Sequence, residues 1–153
     1  MNIPASDASA PELIWMITRA TGGGTPTSSI APYSGESISI TVSKTETVKV
    51  FLMARDEQSG VKRVKSTGGF GQKCSSSGTA IFYDGILSEY SQNLTFIRKC
   101  GVIEWMLPEY TVDTQRGCPV GLNMTELVYA FRGVAENNKG ISDTSNLLIS
   151  VRP

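Results

Sequence analysis

Hydrophobic and polar residues alternate in short runs along most of this chain. From Ser37 to Val42, Ile38, Ile40 and Val42 alternate with Ser39 and Thr41. From Thr47 to Ala54, Val48, Val50, Leu52 and Ala54 fall on one side, with Lys49, Phe51 and Met53 on the other. A two-residue period is that of a strand with one buried face. The β-rich stretch from Pro11 to Thr18 predicts a first strand. Val61–Lys65, Ala80–Tyr83, Asn93–Arg98, Val102–Leu107, Glu126–Glu136 and Ser145–Val151 predict others, with 126–136 the strongest. Ile86–Tyr90 reads as a single helical turn. Turn residues separate these runs. Residues 20–32 and 108–123 read as loops, as does the Gly- and Ser-rich stretch from Ser66 to Thr79. Asp56 to Gly60 reads as a turn with Gly60 at positive φ. No heptads, no long amphipathic helix and no fixed-period repeat appear, so the expected class is all-β.

Three stretches carry a family resemblance. The first runs through Tyr129, Phe131, Gly133, Ala135, Asn137 and Gly140. It resembles the penultimate strand of fibronectin type III and bacterial immunoglobulin-like domains. The second runs from Ala54 through Asp56, Ser59, Gly60 and Val61. It is similar to the turn between the second and third strands of bacterial immunoglobulin-like domains, and 7–14 resembles their opening strand. The resemblance implies an immunoglobulin-like antiparallel β-sandwich. It also implies that Tyr129 starts a strand and bonds its hydroxyl back to the upstream chain, the tyrosine corner. Asn137 to Gly140 becomes the last hairpin turn. Two antibody hallmarks are missing: a Trp after the second strand, and cysteines placed for the inter-sheet disulfide. Trp15 and Trp105 are expected in the core, because large aromatics dominate buried area. Residues 1–10 read as a flexible lead and 11–153 as one domain, with a loop-rich insertion around 66–123.

Composition narrows the function more by exclusion than by signal. The 153 residues suffice for one cored domain. Fourteen Lys and Arg balance fourteen Asp and Glu. Only Lys62, Arg63 and Lys65 cluster, so the basic stripe of a nucleic-acid binder is absent. The longest apolar run, Leu13 to Ile17, is far too short to cross a bilayer, and no leader is read at the start.

There is no histidine, which removes His-activated Ser or Cys nucleophiles and the commonest transition-metal ligand. Ser59 and Lys62 match a serine-acyltransferase spacing, but in a β-turn rather than on a helix. No catalytic set emerges, and a non-enzyme is expected.

Calcium is the metal the loops best suit. Asp56, Glu57, Glu136, Asn137 and Asp143, with Asp113 and Asn138 beside them, supply hard oxygen donors. The competing reading is solvated turn residues. The 56–60 and 137–140 turns are expected at different ends or edges. Phe70, Tyr83, Tyr90 and Tyr110 fall near the expected loops and are the candidates for ligand contact. Cys74, Cys100 and Cys118 allow one disulfide and one spare thiol in an oxidising compartment.

The functional expectation is therefore an extracellular, periplasmic or cell-surface module. It would bind a protein or polysaccharide or space other domains, and would behave as a monomer. The alternatives are a carbohydrate-binding module using the loop aromatics, and an intracellular structural or assembly subunit.

Overall fold

The computed structural model describes residues 9–21, 31–76, 79–87, 97–99, 104–106, 109–118 and 121–152. They form two β-sheets with no helix among them. In chain order the strands are β1 (Glu12–Thr21), β2 (Ala31–Ser34), β3 (Ser37–Ser43), β4 (Glu46–Arg55), β5 (Val61–Ser76) and β6 (Thr79–Ile86). Then come β7 (Ile97–Lys99), β8 (Glu104–Met106), β9 (Tyr110–Val112), β10 (Asn123–Asn137) and β11 (Ser142–Arg152). One sheet runs β2-β1-β4-β8-β7, with β9 also on β4. The other runs β3-β11-β10-β5-β6. Every described pairing is antiparallel except β3 on β11, which is parallel.

The alternating runs become the facing surfaces of the sandwich. From the first sheet, Leu13, Trp15 and Ile17 of β1 and Val48, Val50, Leu52 and Ala54 of β4 are buried. From the second, Leu127, Tyr129, Phe131 and Ala135 of β10 meet them, with Leu147, Ile149 and Val151 of β11. Burying such faces is what drives two sheets together. The sheets pack tightly at Gly133, where an added Cβ would lie 2.4 Å from a Leu52 methyl and 3.3 Å from the Trp15 ring. A side chain there would have to push the sheets apart. Trp15 donates its indole N–H to Ser145 Oγ at 3.0 Å, and Ser145 donates to the Gly35 carbonyl at 2.6 Å. The buried ring is thus satisfied at its polar end.

The tyrosine corner is present. Tyr129 is buried and its hydroxyl donates to the Asp113 carbonyl at 2.5 Å. Gly140 adopts φ 82° in the β10–β11 turn, a conformation L side chains rarely take, and Gly60 adopts φ 71° in the β4–β5 turn. The parallel β3–β11 pair, the β4 crossing to β5 and this corner make the fold an immunoglobulin-like β-sandwich.

Several local expectations change. Residues 66–76 are not a loop but the continuation of β5, paired along its length with β10 and with β6. β6 extends beyond Ala80–Tyr83 to Thr79–Ile86. A short strand, β9, lies within the expected 108–123 loop. The single helical turn at 86–90 does not form at its start: Ile86 ends β6, and 88–90 lie outside the described residues. Asn93–Phe96, Cys100 and Tyr90 also lie outside them. Trp105 occupies β8 opposite Ala54, but its side chain is outside the described part.

Candidate functional site

The outer face of the five-stranded sheet, near its β6 end, is built from side chains that the register places together. Directly paired residues share a face. Gly71 of β5 therefore lies between Asp84 of β6 and Val128 of β10, and Lys73 lies between Phe82 and Glu126. These residues line a cleft of about 340 Å³. Its floor at Gly71 is open, with no atom within 4 Å of where a Cβ would stand. Phe82 forms one wall and is 73% exposed, and the Lys73 ammonium sits 5.4 Å from its ring centroid. That is cation–π range. The small, apolar floor continues across the sheet through Gly69 and Ala130 to Leu148, which is 39% exposed.

Beneath this face the 113–118 loop is fastened to the sheet's inner side. Cys74 and Cys118 form a disulfide. Gln72 donates from Nε2 to the carbonyls of Arg116 (2.8 Å) and Gly117 (3.3 Å). The Arg116 guanidinium lies 4.1 Å from the Phe70 ring centroid and donates from Nε to the Tyr129 hydroxyl at 3.1 Å. The cleft therefore rests on a stiff backing.

The four aromatics expected at ligand have different surroundings. Phe70 points inward and is covered by Arg116. Tyr110, on β9, packs edge-on to Phe131 with centroids 6.0 Å apart, against the core. Tyr83 pairs with Gln72, so its ring lies on the inner side of the sheet, opposite the cleft, and is 36% exposed. Tyr90 lies outside the described residues. Sequence reasoning passed over Phe82 and Lys73. The available signal was the unbroken run Ile81, Phe82, Tyr83, which makes both faces of one strand apolar.

The calcium candidates do not converge. The 56–60 and 137–140 turns are not at different ends or edges, as expected, but side by side. Asn137 donates from Nδ2 to Asp56 Oδ2 at 3.1 Å and to the Ser9 carbonyl at 2.9 Å, and Asn138 donates to the Ser59 carbonyl at 2.7 Å. Asn137 Oδ1 is taken by the amides of Lys139 and Ile141, and Asp56 Oδ1 by those of Gln58 and Ser59. The Asn137 group turned toward Asp56 is thus a donor, where a cation would need an oxygen. Glu57 pairs with Arg55, Glu136 lies 3.2 Å from Arg63, and Asp143 accepts the Thr144 amide. Among the described residues no three acidic or cysteine side chains are grouped for a metal.

No family model matches the chain, and no curated protein matches it. Among solved structures, an immunoglobulin-like domain of murine CRIg matches at 12% identity. The match covers 77% of this chain and 92% of that one, with a TM-score of 0.25. A likeness at that level carries no argument. The fold assignment stands on strand order, register and the tyrosine corner.

Proposed function

We propose that the chain is a non-catalytic immunoglobulin-like binding module, and that its partner is a protein docking on the outer face of the five-stranded sheet around the Gly71 cleft. The observation that carries this reading is Phe82. It is a 73% exposed aromatic beside an open, side-chain-poor floor, backed by a braced loop. A large apolar side chain at the rim of a cleft is the kind of group that anchors protein interfaces. The Cys74–Cys118 disulfide fits a module that works outside the cytoplasm.

The test is retention of surface or secreted proteins on the immobilised chain, compared with Gly71→Arg and Val128→Glu. Both changes fill or charge the cleft from residues that line it. A partner held by the parent and lost by both variants, with thermal unfolding unchanged, supports the reading. Retention unaffected by either variant removes it. Binding of soluble polysaccharide, lost in Phe82→Ala, would replace the protein partner with a glycan.

A further inference from the structure

We infer that β6 is a self-association edge: two copies of this chain pair β6 to β6, antiparallel, and join their five-stranded sheets into one. The inference concerns the edge of the sheet rather than its face and does not rest on the binding reading above.

The backbone shows which groups are available. Successive residues of a strand direct their N–H and C=O to opposite sides. Leu87 donates its amide to the Gly68 carbonyl at 2.8 Å, so odd-numbered residues here face β5. Ala80, Phe82 and Asp84 therefore direct their backbone groups away from β5. Among the described residues none accepts or donates to them. A row of outward amides and carbonyls is a template for another strand.

The other edge of the same sheet shows the contrast. In β3 the even residues face β11, since Lys44 donates to the Arg152 carbonyl and Asn146 to the Glu36 carbonyl. Thr41 and Ser43 thus face outward. Both are taken: Arg19 donates from Nη2 to the Thr41 carbonyl at 3.3 Å, and the Ser43 amide donates to Glu46 Oε2 at 2.7 Å. Charged side chains occupy the outward groups at the C-terminal end of β3, while β6 carries Asp84 as its only charge and no proline.

The side chains of β6 select a second copy of the chain as the occupant. With Phe82 opposite Phe82 of the second copy, Ala80 falls opposite Asp84, so no like charges meet. On the other face Ile81 falls opposite Tyr83. All three kinds of opposed pair use residues that are exposed in the single chain, Ile81 at 40% and Tyr83 at 36%. The outward backbone groups of Ala80, Phe82 and Asp84 fall in register, two hydrogen bonds per opposed pair. The chain's zero net charge adds no repulsion. A strand that is complementary to itself about one residue is what a two-fold, isologous contact requires.

The test is sedimentation velocity of the full chain over a concentration series, after iodoacetamide treatment to exclude intermolecular disulfides. The parent, Phe82→Lys, Phe82→Glu and an equimolar mixture of the two variants are compared. The expected result is a concentration-dependent dimer for the parent. Each variant alone should associate at least about tenfold more weakly, and the mixture should recover a heterodimer, because position 82 faces its own copy. Gly71→Arg should leave the dimer intact, which separates this edge from the cleft. A parent monomeric at every concentration, dimers that survive both single variants, or a mixture no stronger than its parents would each overturn the inference.

Discussion

At one margin of the five-stranded sheet, Arg19 and Glu46 reach over β3 and occupy its outward carbonyl and amide. At the opposite margin, β6 presents Ala80, Phe82 and Asp84 with nothing described across from them. The two strands have similar lengths and belong to one hydrogen-bonded network, so strand propensity does not separate them. The difference lies in what the neighbouring sheet can spare. β3 sits beside the β1 and β4 ends, which supply an arginine and a glutamate 2.9 Å apart. The inner face of β6 is covered so little that Ile81 and Tyr83 remain exposed. An edge is blunted only as far as a side chain from another layer can reach it, here the Thr41–Ser43 end of β3.

Removing the disulfide with Cys74→Ser and Cys118→Ser is expected to have the largest consequence. A cross-link spanning 44 residues corresponds to a loss of about 4 kcal/mol on the chain-entropy account. Urea unfolding would measure it. Hydrogen exchange should quicken in β5 and β6 while β3 amides keep their protection. Equal quickening in both edges would show that the disulfide does not brace the β6 side in particular.

Next is Glu46→Ala, which frees the Ser43 amide and leaves Arg19 without its carboxylate. A loss of about 2 kcal/mol is expected, as for a charge-assisted hydrogen bond. The opened β3 edge should add a mode of self-association that persists in a Phe82→Lys background, readable by light scattering. Acid probes the same closure more gently. The Arg19 hydrogen bond, with the Ser43 amide, holds the Glu46 carboxyl below its ordinary value of 4.5 against an opposing effect of burial. A depressed carboxyl contributes stability above its unfolded value and loses it as pH falls through the folded one. Stability should therefore drop by about 1 kcal/mol below roughly pH 4.5, and by less in Glu46→Gln. Phe82→Lys should have the smallest effect on stability, within about 0.5 kcal/mol, because the side chain is already exposed. A larger loss in thermal unfolding would mean that Phe82 packs on its own domain.

The core was legible because its signal is local. Val48, Val50, Leu52 and Ala54 announce a strand and its buried face in eight residues, and Tyr129 with Gly140 announces the corner and the turn. β5 was not legible. Gly68, Gly69, Gly71 and the serines that follow have poor strand propensity, and they are extended because β10 and β6 hold them on both sides. Misreading β5 hid the placement of Cys74, and with it the choice among three cysteines. The proximity of Asp56 and Asn137, 81 positions apart, has no local trace. Nor did the cleft, since Gly71 matters by lacking a side chain and Phe82 by what fails to cover it.

The Cys74–Cys118 bond also decides how the domain would behave under tension. A pull along the chain passes across the sulfur bridge and bypasses the segment it closes. That segment, 44 positions long, would withhold about 150 Å of contour length until the bond is reduced. The whole of β6 lies inside it. In a molecule stretched at its ends, the strand with the open edge is one that bears none of the load.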